Sequence, residues 1–435
     1  MYELKGGLPE DFKMTELGPL PEEWEVVKLG DAIEELKEKN KSNVDLKVFT
    51  VSNMEGFVLS DRFFGKRVYS KDTDNYKIVR QGYFAYNPYR INVGSIGLFK
   101  EIIGLVSPAY VVFKVKRTDC LHPEFLFRLL KSPFYMSEIQ RIAMSRGSVR
   151  RSLSYRDLSD FKIPLPPLSE QEKIAAVLSA VQEAKEKTEA VIRATKEFKK
   201  SMMSYLFTYG PVALPDAENV PLKETEVGMI PEEWEVVRLG DVANKSYSGG
   251  TPSTSKEEYW NGSIPWTTSA IIGEEDVFLD KFQKTITKSG LESSSTKITP
   301  RNTLLVGTRV GVGKAVITRL DVAINQDLTA IELNTQRMLP VFIAYFFKIE
   351  GIQKWFENNK RGATIKGIPR KDLLNILIPL PPLPVQQKIA SILSAIDRKI
   401  EAEEDKKKAL EDLFKTLLHN LMTAKIRVNN LEVGA

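Results

Sequence analysis

A chain of 435 residues is longer than one ordinary domain, and 42% hydrophobic residues suffice to bury real cores, which excludes global disorder. The formal charge of +5 is mildly basic, compatible with a nucleic-acid partner without requiring one. One cysteine, Cys120, excludes an internal disulfide and fits a reducing, cytoplasmic setting; no signal peptide is expected, and no apolar run approaches the roughly 18 residues of a membrane span.

In chain order, the first feature is a phrase that returns. ELGPLPEEWEVVKLGD (Glu16 to Asp31) reappears as EVGMIPEEWEVVRLGD (Glu226 to Asp241), an offset of 210. A second echo pairs IPLPPLSEQEKIAAVLSA (Ile163 to Ala180) with IPLPPLPVQQKIASILSA (Ile378 to Ala395), an offset of 215. Between these anchors the halves diverge, although YRINVGSIGLFK from Tyr89 and TRVGVGKAVITR from Thr308 still correspond. The chain is therefore a tandem duplication with similar ends and dissimilar middles. Each middle mixes short β-rich runs such as AYVVFKV and TAIEL with turns and helical patterns such as PEFLFRLLKSPFYMSEIQ. The expected fold class is α+β, with two mixed α/β domains at 1–165 and 211–380.

A long helix follows each domain, at 166–210 and at 381–427, and a tail covers 428–435. Ser169 with Glu172 forms a capping-box pattern at the first helix; Pro384 replaces that serine in the second copy, so a different start is expected there. In the first helix Ile174, Val181, Thr188, Thr195 and Met202 recur every seven residues, and Val177, Ala184, Val191, Phe198 and Tyr205 form a second row offset by three. In the second helix Ile389, Ile396, Leu410 and Leu417 accompany Leu393, Ile400, Phe414 and Leu421, with Glu403 and Lys407 interrupting the seam. This is a coiled-coil pattern, and about 40 residues make a rod of roughly 60 Å. Homologous units in one chain imitate a two-fold dimer. The helices are therefore expected to pair antiparallel, giving a pseudo-two-fold repeat with a near-circular layout.

Catalytic chemistry is hard to find. Cys120 and His122 lie close in sequence, but two potential ligands do not make a metal site, and none is expected. GTRVGVGK (Gly307 to Lys314) lacks phosphate-loop spacing and has Ala315 where a hydroxyl is needed, so a glycine-rich turn carrying basic side chains is the better reading. AYNPYR (Ala85 to Arg90) resembles an adenine-methyltransferase motif but lacks its second proline. Basic residues do stand out: Arg146, Arg150, Arg151 and Arg156 in the first copy, and Arg361, Lys366 and Arg370 in the second. Arg90, Arg309 and Lys314 occupy corresponding glycine-flanked turns. Such side chains neutralise phosphates and can grip guanine bidentately, so these ten are the candidate DNA contacts.

The segments PEEWEVV-K/R-LGD, the double IPLPPL…Q-x-K-I-A and the two long helices resemble the specificity (S) subunit of type I restriction-modification enzymes, over nearly the whole chain. SGGTPS, YWNGSIPW and NTLLVGTRVGVG…AINQDLTAI strengthen the resemblance in the second half. It implies two target-recognition domains, each reading one half of a bipartite, asymmetric site in double-stranded DNA. It also implies that the helices set the spacing and dock two modification (M) subunits, which carry S-adenosylmethionine and methylate adenine. Restriction (R) subunits, using ATP and Mg, would add cleavage. This chain would then hold no cofactor, contact no membrane and catalyse nothing. A DNA-independent, two-headed helical adaptor for protein partners is the alternative.

Overall fold

The computed structural model describes residues 10–53, 56–145, 152–362 and 366–428. The chain forms two compact units, divided at Thr188/Glu189 and Asp405/Lys406, so that each contains one head and part of each long helix.

The two repeated phrases turn out to be partners in one ladder. In the first unit Glu25–Lys28 pairs antiparallel with Lys162–Leu165, placing Val27 opposite Ile163. In the second, Glu235–Arg238 pairs with Leu377–Leu380, placing Val237 opposite Ile378. Consecutive valines favour the extended chain. Pro164 and Pro379 are tolerated because each ribbon has only two strands, leaving an open edge where a missing N–H costs no ladder bond. Ahead of each ladder stands a short hairpin, Phe12–Thr15 with Gly18–Pro21 and Leu222–Thr225 with Gly228–Pro231. Gly18 and Gly228 turn these hairpins at φ of 100° and 103°, a region that side chains disfavour. Trp24 and Trp234, from the same phrase, are fully buried beneath.

The divergent middles share one topology despite their sequences. In the first head a sheet runs in the order Ile33–Leu36, Val111–Val115, Phe84–Tyr86, Ile96–Leu98. The second head repeats that order with Ala243–Ser248, Leu328–Leu333, Leu304–Gly307 and Ala315–Thr318, and adds Phe278–Leu279 at the edge. A second layer also corresponds. Lys284–Ile286, Trp260–Thr267, Val322–Ile324 and Lys297–Thr299 form a sheet in the second head. Its counterparts in the first are Gly56–Leu59, Phe49–Ser52, Ile103–Val106 and Lys77–Arg80, joined by a single parallel bridge between Val48 and Leu105. The fold is mixed helix and strand, with two recognition-type domains built on one plan.

The long helices span Leu168–Tyr209 and Leu383–Met422, 42 and 40 residues. In the first unit Ile174 and Leu178 share a core with Leu418, Leu421 and Met422; in the second, Met203, Leu206 and Phe207 share one with Ile389 and Leu393. Within each unit the start of one helix thus meets the end of the other, an antiparallel pairing. The head helices join the same cores, so the rods pack on their own heads as well as on each other.

The seam differs from the sequence pattern in one respect. The row through Ile174, Val181 and Thr188 is buried or half-buried, but its companion row is offset by four, through Leu178, Lys185, Ile192, Lys199 and Leu206. Val191 and Phe198 are 40% and 51% exposed, whereas Ile192 and Lys199 are buried. The buried row carries two lysines where the exposed one carries none, so tertiary contacts and not apolarity make the choice. Lys199 reaches Asp397 at 2.7 Å, and Phe207 packs on Phe342 and Phe346 of the second head. In the second helix Ile389, Leu393 and Ile400 are buried and Ile396, Leu410 and Phe414 half-buried, as the heptads require. Glu403 is buried within that seam and accepts from Lys399 at 2.5 Å.

Helix starts are corrected too. Both helices begin at matching leucines, Leu168 and Leu383, so Ser169 lies inside the first turn and Pro384 changes nothing. A buried glutamine governs both starts. The Gln171 amide donates to the carbonyls of Cys120 and Pro166 and accepts from the His122 N–H, at 2.7, 2.8 and 2.9 Å. Gln386 repeats this with Arg337, Pro381 and Leu339, at 2.9, 2.8 and 2.7 Å.

The C-terminal segment returns to the first head. Ala424 and Val428 enter its core, and Arg427 grips buried Glu170 through Nε and Nη2, at 2.6 and 2.9 Å, while also pairing with Glu23. Glu170 in turn accepts from the Trp24 indole at 2.9 Å. Val385 occupies the matching place in the second unit, where the chain is covalently continuous. Arg427→Ala strands a buried carboxylate and should destabilise the first unit by about 3 kcal/mol in denaturant unfolding. The pair Glu170→Val with Arg427→Met should recover most of that loss, because it removes both charges and copies the second unit's apolar solution.

Candidate nucleic-acid interface

In the second head Gly307 to Lys314 is a hairpin turn joining Leu304–Gly307 to Ala315–Thr318, so it cannot act as a phosphate loop, which needs a helix after the strand. A Cβ on Gly307 would lie 2.1 Å from the Gly311 carbonyl oxygen, which explains the glycines by close backbone approach. Beside this turn lies a cleft of about 610 Å3 that gathers Arg309, Lys314 and Lys366 together with Lys348 and Lys360. Three carboxylates, Glu274, Glu275 and Glu357, share its wall. Two of them already have lysine partners: Glu357 with Lys360 at 2.5 Å and Glu275 with Lys199 at 3.5 Å. Lys314 donates to the Ile272 carbonyl at 2.7 Å, which spends one of its three donors on holding the turn. Arg309 and Lys366 are exposed and form no ion pair among the described residues.

The first head places Arg90 in the corresponding turn, between Phe84–Tyr86 and Ile96–Leu98, exposed and on the wall of its own cleft of about 610 Å3. That cleft is aromatic where the other is ionic: Phe49, Tyr69, Tyr76 and Tyr110 line it beside Asn87. Lys131 fixes the turn from behind, donating to the carbonyls of Gly94 and Asn53 at 2.6 and 2.9 Å, and burial pushes its ammonium down to about 8. The Asn-Pro-Tyr resemblance is thus a turn: Asn87 accepts from the Tyr89 N–H at 3.0 Å.

Other expected contacts separate from the clefts. Arg156 and Arg370 are exposed on short helices, Tyr155–Ser159 and Arg370–Leu374, that lead into the closing strands and so belong to the repeated scaffold. Arg361 pairs with Asp372 at 3.3 Å. Arg146, Arg150 and Arg151 lie outside the described residues. Just beyond them the Leu153 N–H donates to the Pro88 carbonyl at 3.1 Å, tying the following chain to the Arg90 turn. Trp266 is buried and Trp260 packs edge-on against it at 5.2 Å, so these tryptophans cover a core. Cys120 is half-buried, and among the described residues no group of three His, Cys, Asp or Glu is placed to hold a metal. Nor is any helix there long and apolar enough to cross a membrane.

A family model for the type I restriction modification DNA specificity domain matches this chain twice, over residues 21–194 and 231–412. The chain belongs to that family. Two Methanocaldococcus jannaschii proteins are similar along much of their length. One, provisionally named the MjaX type I restriction enzyme specificity subunit, is 30% identical over 438 residues, covering 96% of this chain and 97% of the relative. The MjaVIII specificity subunit is 29% identical over 352 residues, 78% of each. The fold is similar to that of the S subunit of a type I restriction-modification system from M. genitalium, with a TM-score of 0.58 at 15% identity over 92% of this chain and 96% of that one. As a specificity subunit the chain carries two recognition domains and is the recognition component, not the catalytic one, of its system.

One cleft residue in this specificity subunit escaped the sequence pattern. Lys348 sits at the end of an apolar helix, Pro340–Phe346, where a lone lysine reads as a solvated helix end. Its Nζ donates to the Glu274 carbonyl at 2.8 Å. Burial, then neighbouring Lys199, push it down to about 8 against Glu275, Asp276 and Asp397, which pull it up. The folded value lies below that of free lysine. Protonated Lys348 therefore costs stability below pH 8, and the cost is relieved as pH rises from 8 toward the free value. If the cleft takes DNA phosphate, its attraction for that anion moves the opposite way. Between pH 7 and 9, DNA affinity should fall and its salt dependence should lose roughly one counterion's slope. Lys348→Met should flatten this pH response, measured by binding across a salt series at each pH.

Proposed function

We propose that the chain reads double-stranded DNA as a bipartite, asymmetric site, one short word per head. The observation that carries this reading is the contrast between the heads. Sheet order, ladder and helix start are the same in both, yet one cleft is lined by lysines and an arginine and the other by aromatic rings with Arg90. A shared frame with different linings suits two readers of different words. Phosphate contacts would fix orientation, while a few side chains aimed at base edges would specify sequence.

In this reading the recognition domains are 1–165 and 211–380, and the helices at 166–210 and 381–427 set the distance between words. The repeated scaffold docks two modification subunits, which carry S-adenosylmethionine and methylate an adenine in each half-site. Restriction subunits, with ATP and Mg, join the same assembly to cleave. The chain itself holds none of these cofactors and works in the cytoplasm. The support for two docking partners is that ladder and glutamine clamp occur once per unit.

The deciding experiment is selection from a random duplex library by the full chain with its co-purified modification subunits, at fixed and stated salt. Survivors should share two different words at a constant separation. A folded complex whose survivors share no word would leave a DNA-independent adaptor instead.

A further inference from the structure

We propose that Phe63 and Phe64 form an apolar wedge with which the first head unstacks a base step in its half-site; this rests on the DNA-reading function above. The pair ends a single helical turn, Ser60–Phe64, which Gly65 stops at φ 65°. The rings are 46% and 45% exposed and meet edge-to-face at 4.9 Å, so they stiffen each other without entering the core. Both rings face the cleft that also holds Arg90.

The surrounding charge identifies the occupant. From Leu59 to Asp74 the chain carries Arg62, Lys66, Arg67 and Lys71 against Asp61, Asp72 and Asp74, with Arg62 and Lys66 flanking the rings in sequence. Arg67 lies over the Tyr69 ring at 4.5 Å, and the Tyr69 hydroxyl donates to Asp61 at 3.1 Å, so the loop is held by its own contacts. Arg62 and Lys66 are exposed beside the rings. Exposed rings flanked by cations suit a polyanion whose interior offers flat apolar faces, which is duplex DNA. Apolar side chains inserted between base pairs are a recognised way to kink and read it.

The second head argues that this feature belongs to a word and not to the scaffold. Its corresponding turn, Lys288–Glu292, follows the matching strand, contains no aromatic residue and packs Leu291 on the core around Trp266. A surface meant for the repeated partner would occur twice. Among the described residues the paired rings occur once, where the heads differ; the second head exposes only a single ring near lysines, Phe282, on a different segment.

Insertion costs least at pyrimidine–purine steps, which unstack most readily, so the first word should contain one. The test uses the full chain with its modification subunits and duplexes bearing 2-aminopurine at successive positions of the selected site. Beyond the adenine that a modification subunit flips in each word, fluorescence should rise at one further step within one word. In the double variant Phe63→Ala, Phe64→Ala that rise should vanish, and affinity should fall roughly tenfold, the scale of losing base–aromatic stacking. The slope of affinity against salt should stay unchanged, whereas Arg62→Ala with Lys66→Ala should lower it. Retained selection of the second word by the double variant checks that the chain still folds. Unchanged affinity and an unchanged fluorescence step would overturn the wedge while leaving bipartite reading intact. Loss of the modification subunits with the first word still selected would assign the rings to a protein interface and overturn it as well. If the wild-type complex selects no word, the wedge falls together with the reading it rests on.

Discussion

A buried amide at the foot of each long helix ties head to rod. Gln171 and Gln386 have no exposed surface, and each side chain satisfies two carbonyls and one N–H that would otherwise be stranded. One carbonyl belongs to the double-proline corner, the other to the loop before a head helix, and the N–H to that helix's first flanking residue. Each such bond contributes only about 1 kcal/mol net, but losing any one leaves a buried polar group at a cost of roughly 1–3 kcal/mol. The arrangement therefore tolerates little adjustment. Together with the ladder that zips the first strand of each head to its last, it fixes the direction in which the helix leaves, whatever the head contains between those strands.

That separation of frame from content explains the pattern of repetition. The ladder and the buried tryptophan share one core in each copy, and the glutamine holds the proline corner that follows the ladder, so these residues work as a set. The strands between them need only suit burial and present the right edge for pairing. Val111–Val115 and Leu328–Leu333 occupy the same place in the sheet with little in common beyond a nearly continuous buried run broken by one charged residue. The turns at Arg90 and Arg309 then carry different surroundings on equivalent hairpins. One chain can thus hold two unlike surfaces without changing how either is mounted.

The duplication, the long helices and the family were legible in the sequence because they rest on local repetition. The ladder was not, although both of its strands were visible, since nothing in a one-dimensional repeat says that its beginning pairs with its end. The choice between the rows through Phe198 and Lys199 was also hidden. Heptad spacing accepts either, and an apolar phenylalanine outranks a lysine until Asp397 and the second head's aromatic cluster are in view. The clefts were half legible. Arg90 and Arg309 stood out through glycine-flanked turns, but Lys348 reads as an ordinary helix end, and its place in the cleft comes from tertiary packing.

The two units solve the same mechanical problem by different chemistry, and the difference follows the order of the segments along the chain. In the second unit residues after the first helix run on directly into the second head, and the backbone itself holds the end of the rod; Gly210 lies against Trp234 there. In the first unit the corresponding segment comes from the far end of the sequence and has no covalent link to the head it covers. Hydrophobic burial of Ala424 and Val428 supplies attraction but little register. The bidentate grip of Arg427 on Glu170, itself fixed by the Trp24 indole, supplies the register, because a planar fork meeting a carboxylate admits one geometry. A valine at position 385 suffices where the chain is continuous. A charged clamp is needed only where two segments must find each other.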